Sequence, residues 1–174
     1  MGIQFETDYN METLTAMAKG LRKTVRKKRS RRVHIFAAVV LVFGLLTILA
    51  TVAGGEPLGA SGVVTLLALL VVILVSLFED KLNAWFAKKR LLPGTEHAAA
   101  TFEEDGYVSA TGVTESRFSY AQIVAVAETA RYFVFALSSH HTQAYDKRTI
   151  RGGSVEDFRA FIAEKTGKLV EKIK

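Results

Sequence analysis

The sequence predicts a membrane-spanning α-helical hairpin joined to a small α+β domain. Two long stretches, residues 33–53 and residues 62–78, contain no ionised side chain. After about residue 95, short β-rich runs alternate with turn signals and give way to one amphipathic helix. Lysine and arginine flank both apolar stretches but are absent from the turn between them, and this pattern predicts the orientation.

The two apolar stretches are predicted to be transmembrane helices. A spanning helix needs about 20 apolar residues, and residues 33–53 and 62–78 meet or approach that length with only His34 at the start of the first. Residues 54–61 contain three glycines and Pro57, which predicts an external turn. A buried core helix is the first alternative. A cleaved signal peptide is the second, although its leader would be unusually long and would contain acidic residues.

The charges around the hairpin predict that both termini are cytoplasmic. Lysine and arginine are retained near the membrane on the cytoplasmic side, and they precede the first stretch and follow the second, in the juxtamembrane linker 79–94. Trp85 in that linker is predicted to anchor at the headgroup level, with a contact to the domain as the alternative.

Residues 1–32 are predicted to form a cytosolic segment with a basic amphipathic helix. Leu14, Met17, Leu21 and Val25 recur at helical spacing, and Thr7 or Asp8 is the expected cap. Each basic residue near an anionic bilayer contributes about 1 kcal/mol. One alternative is that the cluster only enforces topology; a nucleic-acid patch is less favoured because no aromatic residue interrupts the basic run. The predicted lipid-binding residues are Arg22, Lys23, Arg26, Lys27, Lys28, Arg29, Arg31 and Arg32.

Residues 95–174 are predicted to form the α+β domain. The C-terminal helix begins at a capping box, Ser154 with Asp157, and ends at Gly167. An antiparallel sheet, or partly open barrel, capped by one C-terminal helix is the pleckstrin-homology (PH) plan. Residues 3–7 also alternate, and we expect them either to add an edge strand to this sheet or to fray. The strands are predicted at residues 98–102, 107–111, 115–120, 123–126, 131–137 and 141–145.

Several short motifs resemble those of the YcxB-like family of bacterial membrane proteins. The acidic turn at residues 103–106, the aromatic step at residues 118–123 and the pair Glu128-Thr129 followed by Tyr132-Phe133 carry the resemblance, together with Lys147-Arg148. Asp146 stands where the family more often has proline. The resemblance implies a bacterial plasma-membrane location and a cytosolic PH-like domain. It implies no catalytic activity.

The sequence predicts no catalytic residues, no cofactor and no metal site. The chain has no cysteine and no phosphate-binding glycine loop, and adjacent histidines on a strand point to opposite faces. The apolar stretches lack the charged residues of an ion path. A weaker ligand-binding hypothesis falls on Lys147, Arg148 and Arg151, with a solvated loop as its alternative.

The expected function is therefore that of a multi-pass membrane protein displaying a cytosolic interaction or scaffold domain without catalytic activity. The expected partners are the membrane, its anionic lipid headgroups, and either a protein partner or a second copy of the chain. Small residues at 50–54 offer one face for helix pairing. Two alternatives stay open: a membrane enzyme or transport-accessory subunit, and an anionic-lipid or nucleic-acid tether.

Overall fold

The computed structural model describes residues 2–173, which form five α-helices and eight β-strands. The helices are α1 (Met11–Lys23), α2 (Lys27–Ala53), α3 (Ala60–Leu77), α4 (Glu79–Lys89) and α5 (Val155–Thr166). The strands are β1 (Ile3–Asp8), β2 (His97–Phe102), β3 (Tyr107–Thr111), β4 (Glu115–Phe118), β5 (Ala125–Glu128), β6 (Tyr132–Ala136), β7 (Thr142–Asp146) and β8 (Val170–Lys172).

The strands form two four-stranded sheets rather than the single curved sheet that the sequence predicted. The first has the order β1-β2-β3-β4 and is antiparallel throughout. The second has the order β7-β6-β5-β8, with β8 parallel to β5 and the other neighbours antiparallel. The sheets are not closed into a barrel within residues 2–173.

Residues 3–8 form strand β1 at the edge of the first sheet, which was one of the two expectations for residues 3–7; they do not fray. β1 pairs with β2 along its full length, from Ile3 opposite Phe102 to Asp8 opposite His97. Phe5 is 1% exposed, and its ring lies 4.6 Å from that of Phe158 on α5. The first residues of the chain therefore complete the core of a domain whose other strands follow the two apolar helices.

One aromatic core lies between the two sheets and α5. Phe102 and Tyr107 contribute from the first sheet, Phe135 from the second, and Phe158 and Ile162 from α5. Edge-to-face packing dominates, as between Phe102 and Phe158 at 4.8 Å, and this geometry suits the charge distribution of aromatic rings. These contacts place α5 against both sheets.

Both faces of β6 are buried, which explains why its sequence is continuously apolar. Phe133 and Phe135 face the aromatic core, whereas Tyr132 and Val134 belong to a second cluster with Ala16 of α1. Since neighbouring side chains of a strand point to opposite faces, the second sheet is enclosed between the core and α1.

Helix α5 begins and ends as the sequence predicts. Ser154 and Asp157 form a reciprocal capping box, in which the Ser154 hydroxyl accepts from the Asp157 backbone N–H at 3.0 Å. Gly167 follows the helix in the left-handed conformation with a φ of 64°, where glycine carries no steric penalty.

Helices α2 and α3 are long and apolar enough to cross a membrane, with 27 and 18 residues. No residue of α2 is buried, and Leu69 is the one buried residue of α3. Large apolar side chains such as Phe36 and Phe43 are 70% and 67% exposed. A soluble core helix buries such residues, and within this chain α2 and α3 leave nearly all of them unburied.

Other departures from the predicted elements concern helix starts and short segments. Helix α1 is capped by Asn10, whose side chain accepts from the backbone N–H groups of Glu12 and Thr13, and not by Thr7 or Asp8. Most of the predicted linker 79–94 is helix α4. The predicted strand 115–120 stops at Phe118, and a 3₁₀ turn, Tyr120–Gln122, follows. Strand β8 was not predicted.

Candidate functional site

Helix α1 lies on the outer face of the second sheet. Its apolar residues Leu14 and Leu21 are 5% and 7% exposed. Gly20 allows close approach, because a Cβ there would lie 2.7 Å from Cγ1 of Val134. The amphipathic face predicted to rest on lipid is therefore occupied by protein, and its other neighbour is α4.

Arg22, a predicted lipid ligand, is held by a carboxylate of α4. Its Nε donates to Oδ1 of Asp80 at 2.7 Å and its Nη2 to Oδ2 at 2.5 Å. This paired geometry is the strong form of arginine–carboxylate contact, and the hydrogen bond raises the pKa of Arg22. Arg22 thus ties α1 to α4, and lipid binding through this residue stays a prediction.

The rest of the basic segment is largely turned to solvent. Arg26 donates from Nε to the carbonyl oxygen of Ser139, between β6 and β7, at 2.6 Å. The other predicted lipid ligands are exposed and have no carboxylate within 4.0 Å among the described residues; they are Lys23, Lys27, Lys28, Arg29, Arg31 and Arg32. Five of these six stand on the first turns of α2, directly before its apolar run.

A cavity of about 410 Å³ lies where α1, α2, α4 and the β6–β7 connection meet. Four arginines and one carboxylate, Glu79, line it. Oε2 of Glu79 is fully buried, with Nε of Arg22 and Nε2 of His34 both 3.8 Å away. The full lining is Leu14, Met17, Ala18, Leu21, Arg22, Arg26, Arg29, Ser30, Val33, Glu79, Asn83, Phe86, Ala87, Arg90, His140 and Thr142.

Sequence reasoning assigned no binding role to the α4 side of this cavity. Arg90 belongs to the basic residues of the linker 79–94 that predict the orientation, and Phe86 follows Trp85 in the same linker. The signal that was present is the charge order of α4, acidic at Glu79 and Asp80 and basic at Lys88 and Lys89, which favours a helix. A helix there puts Phe86 and Arg90 on one face, four residues apart, but its packing against α1 is visible only in the structure.

Trp85, predicted as an interfacial anchor, lies on α4 and is 44% exposed. The Nζ atom of Lys89 lies 3.6 Å from the centroid of its ring, which is a cation–π contact. Anchoring at the headgroup level stays a prediction.

Lys147, one of the three predicted ligand residues, is part of a buried ion-pair cluster. Its Nζ donates to Oε1 of Glu128 at 2.7 Å, and Nε of Arg159 donates to Oε2 at 2.7 Å. Glu128 is 5% exposed. The hydrogen bond from Arg159, reinforced by Lys147, lowers the pKa of Glu128 to about 2 despite the opposing effect of burial.

The other two predicted ligand residues bind different carboxylates. Arg148 pairs with Asp146 at 3.0 Å, and Arg151 lies 3.4 Å from Glu6 of β1. Lys147, Arg148 and Arg151 therefore do not form one basic cluster, and the structure favours the alternative of a loop whose charges are satisfied within the domain.

The buried tyrosines are structural groups. The hydroxyls of Tyr107 and Tyr145 both donate to Oε1 of Gln143 at 2.7 Å, and burial raises the pKa of each hydroxyl. The hydroxyl of Tyr120 donates to the carbonyl oxygens of Glu103 and Gly106, which fixes the acidic turn against the domain.

The histidines lie apart in the structure. Nδ1 of His97 is 2.8 Å from Oδ1 of Asp8, whereas His140 contacts the hydroxyl of Ser139. Within residues 2–173, no three histidine, aspartate or glutamate side chains are positioned together to hold a metal ion.

Comparison with protein families supports the resemblance noted in the sequence. Residues 102–162 match the model of the YcxB-like protein family. The matched segment runs from the last residue of β2 into α5 and contains every motif on which the resemblance rested. Neither the curated proteins nor the solved structures gave a match to this chain.

Proposed function

We propose that this chain, whose residues 102–162 carry a YcxB-like domain, is an integral membrane protein that displays a PH-like interaction domain at the cytoplasmic face of a bacterial plasma membrane. Helices α2 and α3 form its anchor, and both termini are cytoplasmic. The domain serves as a non-catalytic scaffold, and the basic start of α2 holds anionic lipid.

The observation that carries this proposal is the pairing of β1 with β2. These strands lie on opposite sides of the apolar hairpin in the sequence, yet they exchange backbone hydrogen bonds over six residue pairs. If α2 and α3 each cross the bilayer, both ends of the hairpin must then return to one side. The basic residues on both flanks identify that side as the cytoplasm.

The exposure of the hairpin supports the membrane part. The exposed apolar residues of α2 and α3 cover both helices except along the faces where the two helices pack together, and soluble proteins avoid apolar surface of this extent. The Arg22–Asp80 pair and the packing of α1 against α4 connect the anchor to the domain without a flexible linker.

The electrostatics of the domain support a non-catalytic role. Catalytic sites collect groups whose pKa values are shifted toward a chemical task. Here the large pKa shifts fall on buried tyrosines and on Glu128 and Arg159, which pair with each other. The PH-like description rests on two mainly antiparallel sheets that share a core with one C-terminal helix.

Cysteine labelling in intact cells tests this topology, because the natural sequence contains no cysteine. We expect Glu56→Cys, in the turn between α2 and α3, to react with a membrane-impermeant maleimide. Lys168→Cys, exposed after α5, is expected to react only after permeabilisation. The reverse pattern, or release of the chain by alkaline carbonate without detergent, would overturn the proposal.

A further inference from the structure

The cavity at the base of the hairpin has the composition of a phosphate site. Its lining has four arginines against one carboxylate. Asp80 neutralises Arg22, and the buried oxygen of Glu79 is flanked by Arg22 and His34. With Arg22 counted against Asp80, the arginines Arg26, Arg29 and Arg90 remain against the one carboxylate of Glu79, which leaves an excess of two positive charges in the cavity when His34 is neutral.

These three arginines have no carboxylate partner within 4.0 Å among residues 2–173. Arg26 is oriented by the hydrogen bond from Nε to Ser139, which leaves its two terminal nitrogens for a ligand. Arg29 and Arg90 are exposed at the rim. A fixed guanidinium matches two oxygens of one phosphate, and it does so better than a lysine.

The cavity also has an apolar side that faces the membrane segment. Val33, which opens the apolar run of α2, and Phe86 of α4 are 55% and 51% exposed and contribute to the lining. A soluble phosphate compound has no apolar part that would contact these two side chains. A lipid places its phosphate and the start of its acyl chains side by side at this depth.

The volume agrees with a headgroup-sized ligand. Small-molecule sites usually occupy about 300–1,000 Å³, and the cavity measures about 410 Å³. Its elements are tied together by the Arg22–Asp80 pair and by Arg26 with Ser139, so the site is formed before a ligand arrives.

We propose that this cavity binds the phosphate of an anionic phospholipid through Arg26, Arg29 and Arg90, with Val33 and Phe86 against the glycerol and acyl region. The inference rests on the proposed membrane function and makes it specific. One lipid is held in a defined site, in addition to the diffuse attraction exerted by the other basic residues of α2.

The experiment uses the full chain in detergent and native mass spectrometry with added phosphatidylglycerol or phosphatidylcholine. The site variant is Arg26→Gln/Arg29→Gln/Arg90→Gln. The matched control, Lys27→Gln/Lys28→Gln/Arg31→Gln, removes the same charge from exposed residues that do not line the cavity. Arg29→Gln/Arg90→Gln is a second site variant that leaves the Arg26–Ser139 contact intact.

We expect one tightly held phosphatidylglycerol in the natural sequence and in the control. Both site variants should bind it at least about tenfold more weakly, the effect of losing one or more charge-assisted hydrogen bonds. Equal losses in the site and control variants would reduce the effect to diffuse attraction and overturn the inference.

Two competition arms identify the source of the phosphate. Glycerol 3-phosphate or a short RNA that displaces phosphatidylglycerol at comparable concentration would also overturn the lipid assignment. Lipid binding is measured on the purified chain in detergent, whereas membrane topology is tested separately by the labelling and carbonate experiments. A chain that spans the membrane but binds no lipid in the cavity would therefore overturn this inference alone.

Discussion

Helices α1 and α2 follow each other within four residues and use their apolar side chains in opposite ways. In α1, Leu14 and Leu21 are buried against the second sheet and α4. In α2 no side chain is buried at all. The difference lies in distribution: α1 concentrates its apolar residues on one face, whereas those of α2 surround the helix. A one-sided pattern suits one protein neighbour, whereas an all-round pattern is typical of a helix surrounded by apolar groups, in a large core or in a membrane.

The largest contrast should come from removing a phenylalanine from each region. Phe5→Ala opens a cavity beside Phe102 and Phe158 and should lower the free energy of unfolding of the domain by about 4 kcal/mol. Phe43→Ala, in α2, should leave domain stability unchanged. Thermal unfolding of the full chain in detergent, followed by near-ultraviolet circular dichroism, measures both. A similar loss in the two variants would contradict the distinction between the regions.

Lowering the pH should reduce the free energy of unfolding of the domain and leave the packing of α2 against α3 unchanged. The pKa of Glu128 falls from 4.5 to about 2 on folding, so its stabilising contribution is complete above about pH 4.5 and is lost as pH falls toward 2. Glu128→Gln leaves Lys147 without a carboxylate partner and Arg159 with only the exposed Glu156, and should cost about 3 kcal/mol at neutral pH. It should also flatten the loss of stability between pH 4.5 and 2.

The control for Glu128 is Glu156→Gln, because Glu156 also contacts Arg159 but is 76% exposed in its side chain. Exposed pairs contribute about 0–1 kcal/mol. The comparison requires titration of the free energy of unfolding with denaturant at several pH values. If Glu128→Gln and Glu156→Gln lower the free energy of unfolding equally at every pH, the buried Glu128 cluster does not stabilise the domain more than an exposed ion pair does.

Two glycines give a matched test of the two packing environments. Gly20→Leu would clash with Val134, a stiff side chain in a buried strand, and should cost about 2 kcal/mol of domain stability. Gly44→Leu meets the flexible end of Leu69, with Cδ2 2.6 Å from the new Cβ, and should cost the domain nothing. Limited proteolysis at the α1–α2 junction would show whether Gly20→Leu lifts α1 from the sheet.

The smallest expected effect concerns the ion pair between Arg22 of α1 and Asp80 of α4. A double-mutant cycle of Arg22→Ala and Asp80→Ala should give a coupling free energy of about 1–2 kcal/mol, because the pair is partly buried and doubly hydrogen-bonded. The same cycle on the exposed pair Arg117–Glu103 should give less than about 0.5 kcal/mol. A coupling near zero at Arg22 would leave packing alone to hold α1 against α4.

Elements specified by local sequence were predictable, and those specified by distant partners were not. The Ser154–Asp157 capping box and Gly167 define α5 from its own residues, and the two apolar stretches define α2 and α3 by length. Strand β8 has three residues and only one large apolar side chain, Val170. It forms because β5 offers a free edge, and that partner is invisible in the segment itself.

The candidate site shows the same division. The basic residues before α2 were evident, but the partner of the α1 face was not, because an amphipathic pattern looks the same whether it rests on lipid or on protein. A signal did exist in Ala16 and Gly20: small residues on an apolar helix face indicate close approach to another backbone, which a fluid bilayer does not require.

The β1–β2 ladder also constrains how the molecule is made. Ile3 pairs with Phe102, so a nascent chain must release some hundred residues before its first strand finds a neighbour. Until then the ring of Phe5 lacks its aromatic neighbours Phe102 and Phe158. By that stage α2 and α3 have already been synthesised and, as proposed membrane helices, can enter the bilayer. If α2 and α3 are the membrane anchor proposed above, their insertion can precede closure of the domain, and the first sheet stays incomplete until β2 has been synthesised.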